Sequence, residues 1–233
     1  MKPVILYGCK SVAKMLFIES KKMDSDFHIV AFCVGDNYLN GETSYCGLPL
    51  VVESEVAQKY PPDKYDMLTC VVSSSRVRNR LLIYERLKSM GYFLRNFISP
   101  LAKISENVQI GENNIILDYV RIEHNTCIGH SNIIFSGTYI SNDSVIGNSS
   151  TFTDRVTIGS DVEIGNSCWF GYGSIVNNLL KIADDTLVST GAVILKNTKQ
   201  GFTYVGNPAK AYRTHQETGI MMHYPQKERK LGL

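Results

Sequence analysis

Two of the chain's five histidines, His124 and His130, stand six residues apart. An imidazole with a pKa of about 6.5 can take a proton near neutrality or ligate a metal, so these are the first candidates for chemistry. His28, His215 and His223 belong to no motif. The six cysteines, at 9, 33, 46, 70, 127 and 168, show neither CxxC pairing nor even spacing. That usage points to reduced thiols rather than a structural zinc site or a disulfide scaffold. Ser73, Ser74 and Ser75 precede a helical stretch, where hydroxyls cap the helix or hold a phosphate. Gly8-Cys9-Lys10-Ser11 follows an apolar run but lacks GxGxxG, which argues against a dinucleotide-dependent oxidoreductase. Asp36 follows a second apolar run and can accept hydrogen bonds from a ribose or a base edge, or serve as an ordinary turn residue.

The two central histidines lie inside a strict repeat. From Ile104, every sixth residue to Ile194 is Ile, Val or Phe, sixteen in succession and twelve of them isoleucine. With 44% apolar residues, chance produces such a run with a probability on the order of one in a million. Glycine follows the apolar residue at 111, 129, 147, 159, 165 and 171. Neither a helix (period 3.6) nor a flat strand (period 2) has a period of six. A chain that turns a corner every six residues does, three segments closing a triangular coil of 18. Residues 104–194 therefore predict about five stacked coils, neighbours lying about 4.8 Å apart. One such prism leaves apolar face residues such as Val145, Trp169 and Ile175 for a partner to cover, which suggests a homotrimer.

Before the repeat the pattern changes. Apolar runs at 3–8, 28–34, 48–51, 67–74 and 93–98 read as strands. Stretches from Lys10 to about Lys22, near Ser54–Lys59 and from Arg76 to Met90 read as helices, the last with Val77, Leu81, Leu82, Tyr84 and Leu87 on one face. This is a small parallel α/β sheet, whose ligand site belongs at the carboxyl ends of the strands where their order reverses. Gly8, Asp36, Ser73 and Ser74 sit at such ends. The net charge of +2, with no long basic run, argues against nucleic acid or a membrane surface as partner. No apolar stretch approaches the 18 or so residues of a membrane span, and the opening MKPVILYGCK is too short in its apolar part for a secretory signal. The expected location is cytoplasmic.

An α/β unit followed by hexapeptide coils, with VGNPAKAYR (205–213) and ADDTLVSTGAVILKN (183–197) closing the repeat, resembles one bacterial family. It comprises sialic-acid O-acetyltransferases and nucleotide-linked amino-sugar N-acetyltransferases, the bacillosamine and perosamine enzymes among them. The resemblance spans residues 3 to about 213. It implies a Rossmann-like nucleotide-sugar-binding domain (1–98), a left-handed parallel β-helix (99–213), a C-terminal tail (214–233) and a homotrimer. It also implies an acyl-CoA, typically acetyl-CoA, as co-substrate, no metal, and a role in surface-glycan synthesis. By matching positions, Gly8, Asp36, Ser73 and Ser74 would contact the nucleotide. Ser160, Tyr172, Gly173, Thr190 and Gly191 would lie along the pantetheine and thioester, with Asn207, Pro208 and Lys210 near the adenosine.

The chain departs from the family at the catalytic histidine, which would fall on Asn142 within ISNDSVIG (140–147). One coil earlier, IEHNTCIG (122–129) looks like the family's catalytic stretch and carries His124. An amide can orient a nucleophile but cannot take its proton. A neutral amine acceptor tolerates that, whereas a sugar hydroxyl without a base loses roughly 10²–10⁴ in rate. Asp143 can hold an ammonium or act as a weak base, and His124 can stand in from one coil away. The expected activity is N-acetylation. O-acetylation, or a nucleotide-sugar-binding trimer with weakened catalysis, stands as the alternative. A γ-class carbonic anhydrase, also a β-helix, needs three zinc-binding histidines, and the repeat offers only His124 and His130.

Overall fold

The computed structural model of the chain describes residues 2–21, 27–39, 41–72, 76–215, 217 and 219–221. In chain order the first part comprises β1 (Val4–Tyr7), α1 (Ser11–Ser20), β2 (Ile29–Val34), β3 (Ser44–Tyr45), β4 (Leu48–Val52), α2 (Glu53–Lys59), β5 (Asp66–Thr69) and α3 (Asn79–Ser89). The sheet order is β3-β4-β2-β1-β5, with β4, β2, β1 and β5 parallel and β3 a short antiparallel edge. The β1 run VILY is buried throughout and the β2 run IVAFCV nearly so, as parallel strands covered on both faces require. From β1 the chain proceeds outward to β2 and β4, then returns to place β5 on the other side of β1. The strand order therefore reverses between β1 and β5, beside Gly8.

The second part is a three-sided parallel β-helix. Two-residue strands from Phe97–Ile98 to Val193–Ile194 stack into three sheets. Ile122 pairs with Ile140, Ile128 with Ile146 and Ile134 with Phe152, the 18-residue register the period predicts. The hexad residues from Ile116 to Ile194 fill the prism. Every sixth residue from Asn113 to Gly191 has positive φ, so each corner turns through a left-handed residue. Asn, Asp, Ser and Gly hold most of these corners, being the types that reach this region at least cost or bond locally. The glycine after a hexad residue has another origin: a Cβ on Gly147 would sit 2.8 Å from the Gly165 carbonyl oxygen of the next coil.

Tyr119 occupies a left-handed corner at φ 60 and is exposed. Tyr119→Asn should therefore stabilise the fold by about 0.5–1 kcal/mol, read as a rise in the urea midpoint at fixed protein concentration.

Three sequence expectations change. The 93–98 run is no strand of the first sheet: Leu94 makes a lone bridge to Met67, and Phe97–Ile98 pairs with Ile115–Ile116 to open the β-helix. Ile98 lies six residues before Ile104, so it continues the same hexad. In α3 the buried side chains are Arg80, Ile83 and Leu87, while Leu82 is 54% exposed. The apolar face is displaced because the Arg80 guanidinium finds acceptors in the adjoining coils and goes inside. Trp169, read as a face residue for a partner to cover, is covered by its own chain instead. Ile220 packs with Val77 and Trp169, and the Val77 N–H donates to the Ile220 carbonyl at 3.0 Å. Met222 and Tyr224 lie outside the described residues.

The eight-stranded face is covered by the first part, with Ile115, Leu117 and Ile133 sharing a core with Val4, Leu6, Phe32 and Leu68. Asn113 fastens the junction, donating to Thr69 Oγ1 at 2.6 Å and accepting the Thr69 N–H at 2.8 Å. The other two faces expose Arg121, Val145, Glu163, Ile175 and Lys181.

Candidate active site

The prism has three edges, and the candidate residues divide among them. The first edge is formed by the turns at 105–108, 123–126, 141–144, 159–162 and 177–180. It carries His124, Asn142, Asp143 and Ser160, with His124, Asn142 and Ser160 in one column 18 residues apart. Here the Asn142 amide is held from both ends. Its Oδ1 accepts from Ser141 Oγ at 3.2 Å and Ser160 Oγ at 3.1 Å, and its Nδ2 donates to Asp143 Oδ2. The two serine oxygens lie 2.8 Å apart, and with one proton each they share three contacts, so one hydroxyl donates either to the other or to the amide. Asp143 Oδ1 accepts from Asn125 Nδ2 at 2.9 Å, and Asn125 is bonded in turn by Asn107. The hydrogen bonds from Asn125 and Asn142, with the His124 imidazole nearby, hold the Asp143 carboxyl below the usual carboxylate range. The arrangement can therefore orient a ligand through the second Asn142 N–H and present a fixed anion. His124 is exposed, and its carbonyl accepts the Asp143 N–H at 3.0 Å. Glu123 next to it is also held low, chiefly by a hydrogen bond from Arg121.

The second edge faces α3 and is structural. His130 Nδ1 accepts the Glu112 N–H at 2.9 Å, and its ring stacks on Tyr84 with centroids 5.3 Å apart. That hydrogen bond leaves the proton on Nε2. His124 and His130 thus stand on different edges. Among the described residues no three His, Cys, Asp or Glu side chains converge as metal ligands.

The third edge carries Tyr172, Gly173, Thr190 and Gly191. With Asp154 and Arg155, Tyr172 and Gly173 line a shallow cavity of about 460 Å³. The hairpin of Phe202–Val205 and Lys210–Thr214 prolongs this edge. The Val193 N–H donates to the Gly206 carbonyl at 3.0 Å and the Ala209 N–H to the Val193 carbonyl at 2.8 Å. Asn207 and Pro208, joined by a cis peptide, and Lys210 are thus held at Val193, two residues beyond Gly191. Ser160 does not join them; it lies on the first edge with Asn142.

In the α/β part, Gly8 has φ +129 and ends β1 at the strand-order reversal. Asp36 uses Oδ1 to accept from the Ser54 N–H at 3.1 Å and the Ser54 hydroxyl at 3.0 Å, so that oxygen anchors the start of α2. Ser73 and Ser74 lie outside the described residues. Sequence reasoning missed Ser141, Asn125 and Arg155. Asn125 is one 18-residue step before Asp143, so the period itself carried that signal.

No family model and no curated protein matches the chain. Solved structures do. The acetyltransferase domain of PglB from Neisseria gonorrhoeae superposes with TM-score 0.80 at 18% identity, over 91% of this chain and 100% of that one. PerB from Caulobacter crescentus, in complex with CoA and GDP-perosamine, gives 0.72 at 21% identity, over 91% and 98%. WeeI from Acinetobacter baumannii gives 0.62 at 20%, over 91% and 100%. The fold is theirs. The likeness takes in both parts of the chain, since the coils alone make up well under nine-tenths of it. At these identities the fold is what the superposition transfers, and the chemistry rests on the edges described above.

Proposed function

We propose that this chain transfers an acetyl group from acetyl-CoA to the amino group of a nucleotide-linked amino sugar. The observation that carries the reading is the clamped Asn142–Asp143 pair on a β-helix edge. It is an amide that orients beside a carboxylate held as an anion. In this reading residues 1–98 form a Rossmann-like nucleotide-sugar unit and 99–213 a left-handed β-helix, with 214–233 as the tail. Three copies assemble in the cytoplasm so that the first edge of one meets the third edge of the next. Assembly would unite Asn142, Asp143 and Ser160 with Tyr172, Gly173, Thr190 and Gly191, which one chain holds a full side of the prism apart. Asn207, Pro208 and Lys210 then serve the adenosine end, and Gly8, Asp36, Ser73 and Ser74 the nucleotide.

The chemistry follows from what the Asn142–Asp143 pair can do. A neutral amine brings its own lone pair, which forms the new C–N bond as the C–S bond breaks and the thiolate leaves. Positive charge grows on nitrogen during attack, and the Asp143 carboxylate stabilises it. The proton then passes to the thiolate or to water. Ser141 and Ser160 keep the Asn142 amide facing so that its free N–H meets the acceptor. Hydroxyl acceptors, lacking a base, fall roughly 10²–10⁴ behind.

Thiol release from acetyl-CoA with UDP-, dTDP- and GDP-linked amino sugars tests this. The second reading, a nucleotide-sugar-binding trimer with weakened catalysis, is favoured by Asn142 standing where the family resemblance implies histidine. Tight binding of one such sugar with no thiol release would decide for it. For comparison, a histidine-to-asparagine variant of the C. crescentus perosamine N-acetyltransferase is in complex with both CoA and GDP-perosamine.

If His124 were the base, His124→Asn would abolish turnover and remove the acid limb of the kcat/KM profile. The expected profile instead rises through the pKa of the acceptor amine, and His124→Asn leaves it unchanged. Loss of activity in His124→Asn, or a shift of the acid limb, would assign the proton transfer to His124.

A further inference from the structure

Arg80 heads the fully buried side chains in size, and the chemistry above does not use it. Its Nε donates to the Ser131 carbonyl at 2.7 Å. Nη2 donates to the Ser149 and Ser150 carbonyls at 2.7 and 3.0 Å and to Thr151 Oγ1 at 3.0 Å. Nη1 donates to the Val71 and Val72 carbonyls at 3.3 and 3.1 Å. All six acceptors are neutral, and among the described residues no carboxylate is bonded to the guanidinium. Burial pushes Arg80 down to about 9, so it is still a cation at neutral pH. A buried charge without a counter-ion is costly to a fold, and here it lies at a particular place.

Val71 and Val72 follow β5 at its carboxyl end. A Cβ on Gly8 would meet Cys70 Sγ at 3.1 Å and Val71 Cγ2 at 3.6 Å. Gly8, Cys70 and Val71 thus form the mouth where the strand order reverses, one residue from the guanidinium. Because a peptide unit is planar and trans, turning the Val71 carbonyl toward Arg80 turns the Val72 N–H away from it. One face of this segment is held by arginine, and the Val72 N–H faces the other way.

We propose that Arg80 is a positioning residue for the diphosphate of the acceptor. It pins the 71–72 backbone to the β-helix and lends its uncompensated charge to the β1/β5 mouth. The inference rests on the nucleotide-linked acceptor proposed above. It makes the anion at the mouth the missing counter-charge of the buried arginine, and it ties the acceptor's position to the coils that carry Asn142.

The test measures UDP, dTDP, GDP and inorganic pyrophosphate binding by calorimetry, beside CoA, on the wild type, Arg80→Lys and Arg80→Met. Folding is checked by circular dichroism. In folded variants the diphosphate affinity should fall at least about tenfold in Arg80→Met and less in Arg80→Lys, with CoA affinity held within about twofold. Unchanged diphosphate affinity, or parallel loss of diphosphate and CoA, overturns the proposal. Should neither variant fold, hydrogen exchange on the wild type decides: the bound diphosphate should slow exchange at residues 70–72, and binding without that protection overturns it. A wild type that binds none of the diphosphates removes the nucleotide-linked acceptor itself, and this inference with it.

Discussion

Asp143→Asn is expected to lower kcat about a hundredfold with an amine acceptor while leaving the KM for acetyl-CoA near its wild-type value. The substitution is nearly isosteric, and asparagine is at home in the left-handed conformation Asp143 adopts at φ 59. The corner should therefore keep its shape. What changes is charge. The amide oxygen can still accept from Asn125, but an NH₂ now confronts the Asn142 Nδ2 that used to donate to a carboxylate. The amide that orients the acceptor loses one of its three tethers, and the positive charge growing on the attacking nitrogen loses its counter-charge. Removing one preorganised electrostatic partner of a transition state commonly costs on the order of 10²–10³ in rate. Because that charge appears only during attack, the loss belongs in kcat. Acid should reveal the same logic. Hydrogen bonds from Asn125 and Asn142 depress the Asp143 carboxyl, so its contribution is complete above the ordinary aspartate range and fades only as pH falls through the depressed value. Asp143 therefore adds no acid limb near neutrality. A stopped assay of thiol release across pH, on the wild type and Asp143→Asn, reads both effects.

How far the sequence foretold this molecule depends on whether a feature repeats. The hexad from Ile104 to Ile194 announced the prism because each isoleucine meets the same demand, an inward position every sixth residue, and the register Ile122 to Ile140 follows from it. The first edge was half legible. Asn142 and Asp143 came from a family comparison, whereas Asn125, which holds Asp143, needed only subtraction of 18. Single events were not legible. Arg80 reads as a polar residue on an exposed helix face, and nothing local says that three carbonyls and a hydroxyl await it in coils more than fifty residues away. Its burial displaced the α3 face and left Leu82 outside. The meeting of Ile220 with Val77 and Trp169 is equally non-local. Likewise, Ser160 shares a column with Asn142 while Tyr172 and Thr190 share another edge, a division that becomes visible only once the corners are counted.

Phe170→Ala should be the most destabilising single change in the β-helix, at about 3–5 kcal/mol. Along the eight-stranded side the inward residues run Ile116, Ile134, Phe152, Phe170 and Val188. The two rings lie face to face at 4.7 Å with planes 3° apart, a separation close to the coil spacing, so each ring floors the other. Both are fully buried. The chain cannot collapse into the vacated space, because hydrogen bonds fix each coil to the next: the Thr153 N–H donates to the Phe170 carbonyl at 3.0 Å and the Gly171 N–H to the Val188 carbonyl at 2.7 Å. A rigid wall around a lost ring retains most of the cavity, which places the cost at the upper end of its range. Phe170→Leu keeps much of the volume and should cost less than about half as much. In a stack stabilised between nearest neighbours, a weak middle coil uncouples those beyond it. The urea transition of Phe170→Ala is therefore expected to shift to lower denaturant and to broaden or split, while that of Phe170→Leu stays single. A midpoint for Phe170→Ala within experimental error of the wild type would mean that the coils close around the gap.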